Sequence, residues 1–319
     1  MALLDFLGGG ILTYVVIVVV LFLFWIAWKL ILSPLFGFGK KSIELSDRAL
    51  SGLGKSWSAA AREAGHLNLE LATEGASDQR GKRAAQTMEG LGSLLNESQS
   101  RQDFSSERVD AVRRGINAVS SDMKEEAAAF DTLFTQYKAD RREVDRILRS
   151  VKQQVGDQQK IMRETLERRD KLARVGQTDP FAGELVRLTE NIINRDKELT
   201  AAETQDKNLL RQVTSVAETR IKKVKGITSR FDEMDRLLKL EPPLQQVPKL
   251  QEQVQQIKRI LAELSAEHDE LRALLQRRKE LLQGVMRTEG ELRLRLEEQK
   301  KQIQASEAHF QDLRRRGAA

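Results

Sequence analysis

From residue 103 onward, apolar residues recur at alternating spacings of three and four, the signature of a helix that buries one stripe. The first series runs Val109, Val112, Ile116, Val119, Met123, Glu126, Phe130, Leu133, Tyr137, Asp140, Val144, Ile147 and Val151. Eleven of these thirteen positions are apolar, where a chain that is 40% hydrophobic would give about five by chance. After Val151 the next apolar residue is Val155, four further on, which reads as a stutter that locally unwinds a supercoil. The pattern resumes at Ile161, Leu172 and Val175. It stops at Gly176-Gln177-Thr178-Asp179-Pro180, where glycine ends one helix and Thr or Asp before Pro starts another.

A second series follows: Phe181, Leu185, Leu188, Ile192, Arg195, Leu199, Ala202, Asp206, Leu209, Val213, Val216, Arg220, Lys223, Ile227, Arg230, Met234 and Leu237. It ends before Glu241-Pro242-Pro243, which no straight helix accepts in its interior. The third series is the longest, with Val247, Val254, Leu261, His268, Leu275, Leu282, Glu289, Leu296, Ile303 and Phe310 in one row of the heptad. Leu250, Ile257, Leu264, Leu271, Arg278, Val285, Leu292, Gln299, Ser306 and Leu313 fill the other. The stretch Val254, Ile257, Leu261, Leu264, His268, Leu271, Leu275, Arg278 and Leu282 is its clearest seam. His268 there is expected to set register, and Arg278 and Glu289 to pair with a facing helix.

These series predict helices over 103–175, 181–240 and 248–316, each ~90–110 Å long. Short breaks between helices of similar length favour folding back into an antiparallel bundle. Ile260, Leu274 and Leu281 widen the apolar face of the third helix beyond what a two-stranded coil uses. A three-helix fold-back puts the 176–180 turn far from the membrane and the C-terminal Arg314, Arg315 and Arg316 at the same distal tip, free to dock. A kinked rod that oligomerises in parallel is the alternative.

Upstream the pattern changes. No residue from Phe6 to Trp28 is charged, and Thr13 is the one clearly polar residue between Ile11 and Ile26. A run of this length can cross a ~30 Å hydrocarbon core. Tyr14 at one end, with Trp25 and Trp28 at the other, matches the two headgroup levels where amphipathic rings collect. A cleavable signal peptide needs a basic start and a small-residue cleavage site, but here Asp5 precedes the run and no A-x-A follows it. Residues 1–38 therefore read as a transmembrane anchor, with a kink at Pro34. Lys29, Lys40 and Lys41 lie C-terminal to the run, so the positive-inside rule places the N-terminus outside and the body in the cytoplasm, at a plasma or inner membrane. Residues 39–102 carry Gly52, Gly54, Gly65, Gly75, Gly81, Gly90 and Gly92 among Ser and Ala, which predicts a semi-flexible stalk. Residues 317–319 form a short tail.

Composition agrees with long helix: aromatics are 5%, charged residues 31%, and prolines number five. The net charge of +6 permits attraction to anionic lipid and does not call for a nucleic-acid partner. Without cysteine there is no disulfide, thiolate catalysis or zinc–thiolate site. His66, His268 and His309 are isolated, none with a second ligand at metal-site spacing. Gly8-Gly9-Gly10 matches no phosphate-binding loop. Arg314-Arg315-Arg316 is either a helix C-terminal cap or a docking patch.

The expectation is an all-α protein: one N-terminal transmembrane helix, then long coiled-coil helices folded back as an elongated antiparallel bundle. It would act as a scaffold or spacer on the cytoplasmic face of a membrane, or as a signal- or force-transmitting subunit of a larger membrane complex. No catalysis or cofactor is expected. The expected partners are the bilayer, further copies of the chain and other membrane-complex subunits.

Overall fold

A computed structural model describes residues 38–174 and 176–316. They form four long helices, α1 (Phe38–Ser100), α2 (Ser106–Arg174), α3 (Ala182–Leu237) and α4 (Val247–Arg315), with a 3-10 turn at Pro243–Gln246 before α4. Among the described residues there is no strand. The predicted span, with Tyr14, Trp25, Trp28 and Lys29, lies outside the described residues. Among those described, no helix is long and apolar enough to cross a membrane.

The stretch expected to be a stalk is instead one helix of 63 residues, α1. Its buried positions are Ser42, Leu45, Ser46, Ala49, Leu53, Ser56, Ala59, Ala60, Glu63, Leu67, Glu70, Glu74, Ser77, Ala84, Met88, Leu91, Leu95 and Ser98. Almost all fall on an unbroken alternation of three and four, so α1 carries a heptad seam as regular as the others. Serine, alanine and glutamate occupy much of that seam, and a count of apolar residues does not register them. Glycine in a helix costs about 1 kcal/mol against alanine, but burial of a whole face outweighs that cost here.

Two further readings change. Val155 is half-exposed, whereas Gln154, Gln158, Ile161, Thr165, Arg168 and Leu172 are buried. The seam of α2 thus continues in register and turns polar, with no stutter. In α3 the burial lies on Thr189, Asp196, Glu203, Leu210, Ala217, Val224 and Phe231. The expected Arg195, Ala202, Val216, Lys223 and Arg230, one position earlier, are only half-buried. The unforeseen α1 is a fourth packing surface, and it turns the buried face of α3. In α4 every predicted position from Val247 to Phe310 is buried, and Leu313 is half-buried.

The described residues fall into two compact units, each drawn from all four helices. Unit 1 takes the chain up to Gly54, Val151–Glu198 and everything from Glu289; unit 2 takes Lys55–Ser150 and Leu199–Thr288. In unit 2, Arg278 of α4 meets Glu63, Asp140 and Asp206, while Arg220 of α3 meets Glu74 and Glu126 beside His268. Between these two layers the numbering rises along α1 and α3 and falls along α2 and α4. Successive helices are therefore antiparallel.

Unit 1 alternates in the same way. Lys41 pairs with Glu164 and Arg48 with Asp157, while Ser306 bonds Asp179 and Arg195 pairs with Glu291. The start of α1, the α2–α3 turn and the C-terminal end of α4 therefore share one end of this unit. The α2–α3 turn and the C-terminal end of α4 lie together, as the three-helix fold-back had them, but at the end of unit 1 where α1 begins, a helix that expectation did not include.

Two turns close by the same hydrogen-bond pattern. At the end of α2 the Gly176 amide donates to Ala173 O and the Gln177 amide to Leu172 O, with Gly176 at φ +72°. This is a Schellman cap, and glycine takes the left-handed position without strain. At the end of α1 the Gln102 amide donates to Gln99 O and the Asp103 amide to Ser98 O, with Gln102 at φ +50°. Here a side chain sits where glycine is preferred, at a cost of roughly 1–2 kcal/mol. We expect Gln102→Gly to raise the free energy of unfolding by up to ~1 kcal/mol in urea titration. An unchanged or lower midpoint would mean that the turn is not held left-handed.

Candidate functional site

The interior of unit 2 contains two apolar clusters. One joins Leu91, Val119, Phe231, Leu250 and Ile257 with their neighbours, and the other joins Leu67, Phe130, Tyr137, Val213 and Leu275. A charged layer lies between them. Arg220 donates from Nη1 to Glu74 Oε2 at 2.7 Å and from Nη2 to Ser77 Oγ at 2.9 Å; its Nη2 also reaches Glu126 Oε1 at 3.4 Å. The guanidinium carbon lies 4.1 Å from the centre of the Phe130 ring, adding a cation–π contact. Glu126 is also held by Arg80 at 2.9 Å and by the Ser77 hydroxyl. His268 Nδ1 lies 2.8 Å from Glu74 Oε2, so this seam histidine is tied to α1.

Beside this layer the α1 seam reaches Gly81. A Cβ built there would meet nothing within 4 Å. Beside it lies a pocket of about 290 Å³, lined on its inner side by Met123, Leu261, Leu264, Glu126, Arg220 and His268 and open to the exposed Lys82, Ala85 and Ser265.

A second layer lies within the other apolar cluster. Arg278 is fully buried. It donates from Nε to Asp206 Oδ1 at 2.8 Å and from Nη2 to Glu63 Oε2 at 2.6 Å, and its Nη1 lies 3.4 Å from Asp140 Oδ2. One cation thus serves three buried carboxylates. Burial opposes the charge on Arg278, but Asp206 and Glu63 hold its pKa above the ordinary arginine value. Burial pushes the Glu63 carboxyl up to about 8, although Arg278 pulls the other way. Asp140 is raised for the same reason. Glu70, two turns along α1 from Glu63, forms no ion pair among the described residues. Burial lifts it to about 7 against the pull of Arg278 and the Tyr137 hydroxyl. Tyr137 is itself raised by burial and by the Glu70 carboxylate.

Unit 1 is polar inside as well. Gln299 donates from Nε2 to Gln158 Oε1 at 2.7 Å and to Thr189 Oγ1 at 2.8 Å, and Gln154 donates to Asp196 Oδ1 at 3.0 Å. Burial pushes Asp196 up to about 8. Arg168, also buried, reaches Glu307 and the Ser306 carbonyl and stacks over Phe310 at 4.4 Å.

Val254, Ile257, Leu261, Leu264, Leu271, Leu275 and Leu282 are buried together with His268 and Arg278. Lys40 is exposed, Lys41 pairs with Glu164, and Arg315 and Arg316 are exposed. Glu63, Glu70 and Glu74, which complete both charged layers, were not singled out in the sequence. The available signal was their spacing of seven and four, with Glu74 on the row of Leu53, Leu67, Met88 and Leu95 and Glu63 and Glu70 on the row of Ala49, Ala84 and Leu91. Among the described residues no group of histidines and carboxylates is placed to hold a metal ion. No known protein family, curated protein or solved structure matches the chain.

The layers can store charge, fix register and respond to protons. A carboxyl whose pKa rises on folding stabilises the fold below its unfolded value, and that stability is lost as pH climbs through the folded value. For Glu63, Glu70 and Asp196 the window runs from about 4 to about 8. Thermal midpoints should therefore fall by several degrees between pH 5 and pH 8, and Glu70→Gln should flatten the part of the slope below pH 7. A midpoint independent of pH would contradict this account.

Arg278→Met removes the one cation from three carboxylates. At pH 8 it should destabilise the chain by about 3–5 kcal/mol in urea titration. The loss should shrink at pH 5, where protons replace the guanidinium. Equal losses at both pH values would mean that the carboxylates do not depend on Arg278.

Proposed function

We propose that the chain is a membrane-anchored helical scaffold, held by the apolar run from Phe6 to Trp28 with its four-helix body on the cytoplasmic face. The observation that carries this reading is the join between that run and a body whose buried arginines are answered within the same chain. Arg278, Arg220 and Arg168 all find their acidic partners intramolecularly. Such a core needs no second subunit to neutralise it, which leaves the outer surfaces available for docking. The span supplies location, and the bundle supplies a rigid platform for a partner or for further copies of the chain.

Signal or force transmission within a larger membrane complex is the second reading. The carboxylate surplus around Arg278 favours it, because a core interrupted by charged layers can hold two packings of similar energy. The mass of the detergent-solubilised particle separates the two. Self-association alone favours the scaffold, and a stoichiometric multi-span partner favours transmission.

The anchor has its own test. A charge at the bilayer centre costs about 2.5–3.5 kcal/mol on insertion scales. Replacing Val18 and Val19 with aspartate should shift the protein from the carbonate-resistant membrane fraction to the soluble fraction. Retention of the double variant in the membrane would place the anchor elsewhere.

A further inference from the structure

We infer that the end of unit 1 formed by the start of α1, the α2–α3 turn and the C-terminus of α4 is a docking surface for anionic lipid headgroups. The inference rests on the membrane anchoring proposed above and goes beyond it, because an anchor alone asks nothing of the far end of the chain.

Three separate stretches meet at this end. His309 of α4 lies 3.3 Å from the Thr178 carbonyl and packs edge-on against Phe181, with ring centres 6.2 Å apart. Ser306 donates to Asp179 at 2.6 Å, and Lys41 reaches Glu164 at 2.8 Å. Most acids here are already engaged; Glu44, one turn along α1 from Lys40, is exposed and forms no ion pair among the described residues. Glu164 is taken by Lys41, Asp170 by Arg169 and Asp312 by Arg316. Asp179 turns inward, accepting from Ser306 with one oxygen and from the Phe181 amide with the other. Lys40, Lys171, Arg174 and Arg315 remain, with no ion pair among the described residues. Lys40, Arg174 and Arg315 are exposed and Lys171 is half-exposed. One turn or more back along α2, Arg163 and Glu167 offset each other in sign.

Part of this charge is explained by helix ends. α2 and α4 both finish here, and cations suit a helix C-terminus. Lys40, near the start of α1, is offset in sign by Glu44, which leaves Lys171, Arg174 and Arg315; helix ends do not account for the meeting of all three stretches at the end from which the chain runs back into its uncharged segment. An anionic bilayer surface complements an uncompensated basic end held beside it. Each Lys or Arg near such a surface contributes roughly a five-fold factor to the docking equilibrium.

The absence of native cysteine permits a clean test. Full-length Gln311→Cys, carrying a fluorescent donor on the last turns of α4, is placed in nanodiscs bearing a headgroup acceptor. The discs are made of phosphatidylcholine alone or with about a third phosphatidylglycerol. We expect energy transfer to be strong only with phosphatidylglycerol and to fall with added salt. Adding Lys171→Gln, Arg174→Gln and Arg315→Gln should lower the docked-to-undocked ratio at least about ten-fold, with the thermal midpoint lowered by only a few degrees through the loss of helix C-terminal cations. Equal transfer in both lipids would overturn the inference and leave the anchor standing. Failure of the protein to co-purify with the discs would overturn the anchor, and the inference with it.

Discussion

The buried cluster of Arg278 with Glu63, Asp140 and Asp206 is the constraint on which the packing of unit 2 depends. It takes one side chain from each of the four helices, so all four must be in register at once. Apolar heptads alone tolerate a slip of seven residues, because leucine replaces leucine. A slip of α4 by one heptad would bring Leu271 or Val285 to the place of Arg278. Three carboxylates would then face an apolar residue, and an unpaired guanidinium would lie elsewhere in the core. Breaking a buried pair in this way costs about 3–5 kcal/mol, a large share of the stability of an ordinary domain. The cluster contributes little net attraction of its own, since desolvation opposes it. Its effect is to make the alternatives worse.

The layer of Glu74, Glu126, Arg220 and His268 does the same at a second level and has a structural cost. It separates two apolar clusters, and next to it Gly81 leaves the α1 row without a side chain. The interior of unit 2 is therefore less uniform than its repeating pattern suggests. Unit 1 relies on glutamine, threonine and serine at equivalent positions, with a smaller apolar cluster of Leu45, Ile161, Leu185 and Ile303. Polar pairs set register in both units, and stability is tied to pH through carboxyls whose charged form burial disfavours.

The same architecture frames the functional reading. The buried arginines find their acidic partners within one chain. Within unit 1, the start of α1, the α2–α3 turn and the C-terminal end of α4 share one end, so a scaffold joined to a membrane through residues 1–38 would present these three stretches together.

Much of α2 and all of α4 could be read from the chain, because leucine, isoleucine and valine at alternating spacings of three and four report a buried stripe directly. The breaks at Gly176 and at Pro242-Pro243 were legible for local reasons of backbone geometry. The polar half of the α2 seam was not, because Gln154, Gln158 and Arg168 look like surface residues until a partner faces them. The helix α1 was hidden in the same way, its glutamates turned inward and Leu69 outward at 67% exposure. Sequence by itself determined helix, period and most of the boundaries, which depend on backbone preferences and on interactions within a few residues. Only the tertiary structure decided that there are four helices, which face of α3 is buried, and that three carboxylates surround one arginine. A charged side chain enters a core when its counter-charge is there to meet it, and for Arg278 those counter-charges lie 72 to 215 residues away along the chain.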